Sequence, residues 1–352
     1  MLGVHGNGVS PQGVVTAKVA RSGSRLRFMT KAPMAEPGIE ADADTTEAAA
    51  TAAPDPEAIV AHVIAGGSPF DFTERPGWFS YSTLDAFDRC PRQYALRYLC
   101  RLVAGQPRPA ADFGSAAHAA FEQFTRERRE RMARGEEPPD RADLGRFFEA
   151  AWAGSSLPVE NDAAAWRARA EPMLDSFWAA ESANPATTIG EEVRFRMDLP
   201  IDPESAVVVT GYIDRIDRLP SGGVELIDYK TGRAGWPGEA ESSLQLSIYA
   251  LGCRDALDLG GPERVTLDFV EQGLRLSARR TDAQLDGVRD GLAVRAREIR
   301  SSGFPATPSG RACGWCDFRE VCPESVRIRD GDADRQATTM PVTLDAAAPG
   351  SG

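Results

Sequence analysis

The sequence predicts an α/β fold, in which one domain carries a helical insertion and a cysteine cluster near its C-terminal end. Three observations support this prediction. Amphipathic helical patterns fill residues 112–183, strand patterns with one helix between them fill 187–280, and three closely spaced cysteines lie within 313–322. Apolar periods of 3.6 and 2 residues indicate helices and strands. Helices and strands that share one core define the α/β class.

The elements follow in a simple order along the chain. Helices are predicted over 81–99, 112–135, 141–153 and 161–183, strands over 187–200, 206–219 and 222–232, a helix over 241–257, strands over 263–270 and 273–280, and a helix over 281–303. Pro91 interrupts the first helix, and Gly135 ends the second. The segment "PSGG" predicts a hairpin turn between two strands.

The two ends of the chain differ from its middle. Residues 41–58, for example, contain no aromatic residue and no apolar period, and such a segment buries too little apolar surface to offset its chain entropy. We expect disordered tails at 1–75 and 326–352 and a folded domain over 76–325. Because neither a signal peptide nor an apolar run of ~18 residues is found, we expect a soluble, cytoplasmic protein without a membrane partner.

The net charge constrains the partner of this protein. The formal charge is −12, from 40 basic and 52 acidic residues, which excludes a global basic field for nucleic acid. Nucleic-acid binding would therefore need a local groove lined by arginine. Acids that chelate a metal would also make the total more negative, so the total alone does not decide the partner.

Lys230 has an unusual position among the basic residues. The chain has three lysines, and the other two, Lys18 and Lys31, lie in the predicted N-terminal tail. Lys230 ends an apolar strand two residues after Asp228, and residues two apart on a strand share a face. The acid and the ammonium are therefore predicted to lie side by side at the end of a strand.

Asp214 lies between apolar neighbours on one face of the preceding strand. A carboxylate in an apolar layer is costly unless it is paired or binds a metal. If the hairpin pairs the two strands, Asp214 and Asp228 converge, and Mg²⁺ or Mn²⁺ would relieve their repulsion. Such an ion activates water and neutralises phosphate charge, and the compact ammonium of Lys230 suits a phosphate oxygen or the attacking water. The alternative is a simple Asp–Lys ion pair.

Four further side chains are candidates for the same site. His118 lies mid-helix among small residues, and it is either a metal ligand or a partly exposed helix residue. Gln245 and Tyr249 share one helix face. They contact nucleic acid, brace the acidic site, or reflect helix amphipathicity alone. Strict alternation puts Glu192 on the polar side of its strand, where it is a candidate metal or water contact.

The cysteines indicate a second metal site. The six are Cys90, Cys100, Cys253, Cys313, Cys316 and Cys322. The last three form a closely spaced trio that indicates a shared metal, with Cys90 as the best fourth ligand. A distant cysteine plus a trio fits a 4Fe–4S cluster better than zinc, which usually takes paired CxxC knuckles. Zinc remains the alternative, and Cys100 and Cys253 are expected to be buried thiols.

The motifs together resemble a known family. "GSAAH", "GYIDRID", "LIDYKTG" and "QLSIY" follow in order over about 78–325 and resemble the PD-(D/E)xK nuclease superfamily, RecB-like branch. Cys90 with "CGWCDFREVCP" resembles its iron–sulfur subgroup, which includes AddB-type nuclease domains, CRISPR adaptation nucleases and exonuclease V. The resemblance implies a restriction-endonuclease-like fold, with a mixed central sheet flanked by helices. The chain lacks a GxxxxGK[ST] loop and therefore resembles a stand-alone nuclease.

The resemblance also implies a function and a role for each candidate. The implied catalytic residues are Asp214, Asp228, Lys230 and Glu192; the ligands of Mg²⁺ or Mn²⁺ are His118, Asp214, Asp228 and the Tyr229 carbonyl; the substrate contacts are Gln245 and Tyr249; and the ligands of the 4Fe–4S cluster are Cys90, Cys313, Cys316 and Cys322. The implied function is that of a metal-dependent DNA nuclease in repair or recombination. It would be an exonuclease on single-stranded DNA or DNA ends, with a helicase or repair protein as a potential partner. The alternative is a catalytically silent subunit that binds DNA ends or acts as a scaffold.

Overall fold

The computed structural model describes residues 15–21, 24–30, 62, 77–104, 109–153, 163–319 and 322–325. The chain divides into two compact units, which are Met1–Glu74, Ala86–Gly105 and Ser302–Gly352 in the first and Arg75–Asp85 and Gln106–Ser301 in the second. Most of the predicted N-terminal tail and all of the predicted C-terminal tail lie outside the described residues. Their disorder stays a prediction. Among the described helices, none combines the length and apolarity that a membrane crossing requires.

The elements are numbered in chain order. The strands are β1 (Val15–Arg21), β2 (Ser24–Thr30), β3 (Trp78–Phe79), β4 (Leu102–Ala104), β5 (Thr187–Asp202), β6 (Ser205–Arg218), β7 (Val224–Lys230), β8 (Arg264–Phe269) and β9 (Leu274–Ala278). The helices are α1 (Tyr81–Arg89), α2 (Pro91–Tyr94), α3 (Pro109–Ala133), α4 (Arg141–Ala153), α5 (Ala163–Ala183), α6 (Glu239–Ser242), α7 (Leu244–Ala256), α8 (Asp282–Ser301) and α9 (Gly310–Gly314).

The first unit contains a small antiparallel sheet in the order β1-β2-β4. Its first two strands fall within 1–75, where composition alone predicted no ordered element. The predicted helix 81–99 is divided, because α1 ends before Pro91 and α2 begins with it, followed by a π-helical turn at Ala95–Leu99. Proline lacks an N–H and is tolerated at the first position of a helix. Tyr94 stacks on Phe304 with ring centroids 5.8 Å apart in the core of this unit.

The second unit is built on a six-stranded mixed sheet, and this confirms the predicted fold class. The strand order is β3-β6-β7-β8-β9, with β5 paired to β6. The pairs β3–β6 and β7–β8 are parallel, and the other pairs are antiparallel. Each of the five predicted strands is present, and the hairpin between β6 and β7 turns at Gly222, which has a φ of 89°. Glycine adopts this left-handed conformation without a steric penalty.

Helices α3, α4 and α5 form the predicted helical insertion and share one apolar cluster with the sheet. Phe121 of α3 and Phe177 of α5 stack at 4.1 Å, and the ring of Tyr229 lies 5.2 Å from Phe121. Ile227 and Tyr229 of β7 belong to this cluster. Because side chains alternate along a strand, Asp228 and Lys230 point away from it, toward α7.

Helix α7 packs closely against β5 and β6. A Cβ atom on Gly211 of β6 would lie 2.7 Å from the ring of Phe195, and a Cβ on Gly252 of α7 would meet the same ring. The two glycines therefore leave the space that Phe195 fills between sheet and helix. This packing brings Tyr249 to Phe195, with ring centroids 6.1 Å apart, and so directs the polar face of α7 toward the end of β7.

Candidate active site

The site forms where strands β6 and β7 separate. Their antiparallel pairing runs from Arg218↔Val224 to Arg215↔Ile227 and stops there. The next residue on β6 is Asp214, and its Oδ2 accepts a hydrogen bond of 2.8 Å from the main-chain N–H of Tyr229. A side-chain carboxylate thus satisfies a backbone donor that the sheet no longer pairs, which fixes the orientation of Asp214.

Asp214 of β6 comes together with His118 of α3 and Glu192 of β5. One ligand atom from each of His118, Glu192 and Asp214 lies within 4.8 Å of the others, and His118 Nδ1 is 3.4 Å from Asp214 Oδ2. The imidazole also forms a hydrogen bond with the main chain of Tyr229, which orients the ring. One nitrogen and two carboxylates in this arrangement form a potential site for a divalent cation.

Asp228 lies beside this group and is held by Lys230 and Gln245. The Lys230 Nζ is 2.6 Å from Asp228 Oδ2 and donates to Gln245 Oε1 at 2.8 Å. Gln245 Nε2 donates to Asp228 Oδ1 at 2.7 Å and contacts the Tyr249 hydroxyl at 2.8 Å. Among the described residues, the side-chain amide of Gln245 thus bonds only to residues of the site. Tyr249 is buried, with 7 % of its surface exposed.

The predicted convergence of Asp214 and Asp228 differs in one respect from the structure. The sequence predicted that both acids meet around one ion. In the structure Asp214 groups with His118 and Glu192, whereas Asp228 pairs with Lys230. Asp228 is nevertheless close enough that its charge raises the pKa of both Asp214 and Glu192. The ion pair and the acidic cluster, proposed as alternatives, therefore exist together.

The backbone of Glu192 is unusual for a residue within a strand. Its φ is 48°, in the left-handed region that residues other than glycine rarely adopt. The neighbouring pairs Glu191↔Arg215 and Val193↔Ile213 leave Glu192 opposite Asp214, and its carboxylate joins His118 and Asp214. Unusual backbone conformations of this kind concentrate at functional sites.

The electrostatics of the site disfavour the charged forms of its residues. Burial, followed by the charge of Asp228, raises the pKa of Asp214 to about 8, and the same causes raise the pKa of Glu192. Burial lowers the pKa of His118 below its ordinary value, while the charge of Asp228 opposes this effect. Three carboxylates in a partly buried space repel one another.

A divalent cation fits these residues. Asp228 Oδ2 is buried and accepts no hydrogen bond from any described residue, since Lys230 approaches it without hydrogen-bond geometry. A neutral imidazole and carboxylate oxygens supply suitable ligand atoms for Mg²⁺ or Mn²⁺. The pKa values of Asp214 and Glu192 are raised partly because the neighbouring carboxylates repel one another. A bound cation would lower these pKa values, because it would offset that repulsion.

A second charged cluster, which the sequence did not predict, lies on the other side of β6. Arg215 is 1 % exposed and donates to Asp217 at 2.6 and 2.8 Å. It also pairs with Glu181 and donates to the Tyr229 hydroxyl at 3.2 Å, while Arg128 contacts Glu181 at 3.1 Å. The signal in the sequence is an arginine and an acid two residues apart on the face opposite Asp214.

The cysteines form a distinct feature of the first unit. Cys90, Cys313, Cys316 and Cys322 line one pocket. Burial raises the pKa of Cys316, and the nearby Cys90 and Cys313 raise it further. Burial also raises the pKa of Cys322 to about 12. The chain thus gathers the four thiols that the sequence grouped, and the two remaining cysteines, Cys100 and Cys253, are buried as predicted.

Comparison with known proteins establishes the class of this protein. A family model described as the PD-(D/E)XK nuclease superfamily matches residues 78–323. The match spans more than half of the chain, so the chain belongs to this superfamily. Its members are metal-dependent nucleases, which hydrolyse phosphodiester bonds. Membership therefore indicates a hydrolase with a divalent metal and a nucleic-acid substrate.

Other comparisons add little. No curated protein matches the sequence. Among solved structures, one titled "Crystal structure of SSO0001" matches 76% of this chain and 96% of that chain, with 15% sequence identity and a TM-score of 0.35. A likeness of this size carries no argument about activity.

Proposed function

We propose that this protein is a Mg²⁺- or Mn²⁺-dependent deoxyribonuclease of the RecB-like branch, an exonuclease acting on single-stranded DNA or DNA ends in repair or recombination. The observation that carries the proposal is the gathering of His118, Glu192 and Asp214 within 4.8 Å, next to the paired Asp228 and Lys230. A helicase or repair partner and a cytoplasmic location stay predictions.

The residues of the site divide the chemistry among them. His118, Glu192 and Asp214 would hold the metal, with Asp228 and the Tyr229 carbonyl as further ligands. A bound divalent ion neutralises phosphate charge and lowers the pKa of a water. Lys230, whose side chain is 32% exposed, presents its ammonium to a phosphate oxygen or to the attacking water.

Gln245 and Tyr249 are better explained as positioning residues than as substrate contacts. Gln245 bonds Asp228, Lys230 and Tyr249 at once, which leaves it little capacity for a nucleotide. It therefore holds the acid and the ammonium at a fixed separation. Of the predicted roles for this pair, bracing the acidic site agrees best with these hydrogen bonds.

End-labelled DNA tests the nuclease proposal. Single- and double-stranded substrates, with free or blocked ends, are incubated with the protein in Mg²⁺ or Mn²⁺. We expect cleavage from free ends, and we expect Asp228→Ala and Lys230→Ala each to reduce the rate by at least about a thousandfold with the fold retained by circular dichroism. Asp290→Ala, an exposed acid on α8, is the matched control and cuts normally.

The results also separate the alternatives. Unchanged cutting by both site variants would contradict the assignment. Cutting of blocked or circular DNA would exclude an exonuclease while leaving a nuclease. A wild-type protein that binds DNA ends but cuts nothing in either metal would favour the catalytically silent subunit.

We further propose that Cys90, Cys313, Cys316 and Cys322 hold a 4Fe–4S cluster. One distant cysteine plus a closely spaced trio favours a cluster held by four thiolates over zinc, which usually takes paired CxxC knuckles. Arg92 lines the same pocket, and its buried Nε and Nη1 lack a partner among described residues, which suits an anionic centre.

Iron and acid-labile sulfide analysis of the purified protein tests the cluster. We expect a brown protein with visible absorption, and we expect Cys322→Ser to lose colour and thermal stability. Cys253→Ser is the control, because Cys253 is a buried thiol that donates to the Gly260 carbonyl outside the pocket. A colourless protein that contains one zinc would contradict the cluster and support zinc at this site.

A further inference from the structure

Arginine pairing in the second unit is uneven. Arg129, for example, forms two hydrogen bonds of 3.1 and 3.0 Å with Glu191, and most arginines of this unit have comparable partners. The guanidinium groups of Arg194, Arg196 and Arg233 differ, because they make no hydrogen bond or ion pair with any residue that the structure describes. Cations without acidic partners are available to bind an anionic ligand.

Two of these arginines lie on the strand that carries Glu192. Arg194 and Arg196 follow it on β5, and the register with β6 places Arg194 opposite Tyr212 and Arg196 opposite Thr210. Residues two apart share a strand face about 6.7 Å apart. Tyr212 is 47% exposed. This face thus carries a half-buried cation, Arg194, an exposed cation, Arg196, and one exposed aromatic ring.

The third arginine lies in the loop that follows β7. Arg233 is exposed in the loop that follows Lys230, and three residues of chain span at most about 11 Å. Trp236 of the same loop is 55% exposed. A large exposed ring is costly in water, and here it stands beside an unpaired cation in the segment that leads out of the catalytic strand.

We propose that Arg194, Arg196, Tyr212, Arg233 and Trp236, called here the strand-binding surface, bind one single-stranded nucleic acid and lead it to the active site. The proposal rests on the proposed nuclease function and names the surface that serves it. The arginines neutralise phosphates, and the two rings stack on bases. A protein with a charge of −12 thereby holds a polyanion through a local surface.

The aromatic rings argue for a single strand. The face of a base is free for a side chain only where the base is unpaired and unstacked, and stacking on aromatic residues is how proteins hold single strands without reading their sequence. Phosphate contacts alone would not distinguish a strand from a duplex. The combination of arginines and rings on β5, on β6 and in the loop after β7 therefore favours an unpaired strand.

Equilibrium binding without cleavage tests the surface. The full-length protein is titrated into fluorescent single-stranded DNA in EDTA, which prevents cutting, over a range of salt concentrations. We expect Arg194→Gln/Arg196→Gln to weaken binding about tenfold or more and to reduce the slope of log K against log salt by about 0.7 for each phosphate that is no longer neutralised. We expect Tyr212→Ala and Trp236→Ala each to weaken binding about tenfold with an unchanged slope.

The control is Arg279→Gln, since Arg279 is 77% exposed but lies 3.5 Å from Glu263. It removes one positive charge, half the change made by the double variant, and is expected to leave affinity and slope as in the wild type. Wild-type affinity in the double variant and in Tyr212→Ala would overturn the surface, even if the protein cuts DNA. Equal affinity of the wild type for a blunt duplex would overturn the single-strand assignment. A wild type that neither binds nor cuts any DNA would overturn the nuclease function as well.

Discussion

Strands β6 and β7 carry buried charges on both of their faces, and the two sets are arranged differently. One set, called here the balanced network, consists of Arg128, Glu181, Arg215 and Asp217, two cations and two anions in mutual contact. The other set, called here the acidic site, consists of Glu192, Asp214 and Asp228 with His118 and Lys230. It has three carboxylates and one permanent cation.

The pKa values reflect this difference. Burial tends to raise the pKa of Asp217, but the charge and hydrogen bonds of Arg215 outweigh it and lower the pKa. Burial and the charge of Asp228 both raise the pKa of Asp214. One sheet therefore tolerates buried charge where every ion is paired. It keeps surplus negative charge where a metal is to bind. The balance of charge separates a structural network from a functional one.

Removing the cation of the balanced network is expected to have the largest effect. Arg215→Met keeps the length of the side chain but leaves Asp217 without its cation and Glu181 with Arg128 alone, and breaking a buried pair costs about 3–5 kcal/mol. We expect the free energy of unfolding in urea to fall by this amount, with no recovery in Mg²⁺, because the metal site lies on the other face.

Two further variants make this result interpretable. Asp217→Asn keeps the shape of the network and is expected to cost about 2 kcal/mol, which serves if Arg215→Met does not fold. Arg167→Met removes the exposed ion pair with Glu149 and should change stability far less. Similar losses in Arg167→Met and Arg215→Met would show that the buried network is no more important than a surface pair.

The sequence predicted most of what positions the site. Strands β5 to β9 follow alternation and turn residues, which are local signals, and "PSGG" fixes the pairing of β6 with β7. That pairing alone brought Asp214 and Asp228 to adjacent strands. The unusual occurrence of Lys230 in an arginine-rich chain pointed to the same place, because an ammonium and a guanidinium differ in shape and hydration and so suit different chemistry.

The remaining features depend on contacts that a single sequence does not display. The positive φ of Glu192 is a backbone conformation that the strand pattern does not predict. The partner of Arg215 is Glu181 on α5, a pairing of distant segments. Whether an arginine such as Arg194 is neutralised depends on every acid around it. These are tertiary properties, and alternation or motif spacing contains no signal for them.

The acidic site should show its surplus charge in the pH dependence of stability. In EDTA, folded Asp214 holds its proton up to about pH 8, whereas an unfolded aspartate releases it near pH 4. The folded state binds more protons, so this residue makes stability fall as pH rises from about 4 to about 8 and adds no slope above that window. Urea unfolding at several pH values measures it.

The effect is isolated by comparison with Asp214→Asn. We expect this variant to be more stable than the wild type in EDTA, with a difference that grows from pH 4 to pH 8. Saturating Mg²⁺ should stabilise the wild type at pH 8 and have little effect on the variant. The control Asp290→Asn should follow the wild type. Parallel curves for Asp214→Asn and the wild type would mean that the acidic site holds no surplus charge.

The smallest expected effect concerns Tyr229, the residue that both charge clusters share. Its hydroxyl accepts from Arg215 at 3.2 Å, and its main-chain N–H donates to Asp214. Tyr229→Phe removes the first contact and keeps the second. Since Arg215 retains Asp217 and Glu181, we expect a loss of about 1 kcal/mol in unfolding free energy and cleavage within about threefold of the wild type.

The unfolding free energy and the cleavage rate of Tyr229→Phe together show whether the balanced network and the acidic site act independently. A stability loss without a change in cleavage rate means that the balanced network supports the fold, and that the backbone of β7 alone positions the acids. A tenfold fall in cleavage at nearly unchanged stability would mean that Arg215 acts through the Tyr229 ring on Asp214 and His118. The network would then belong to the active site, and charge balance would no longer separate structure from function in this sheet.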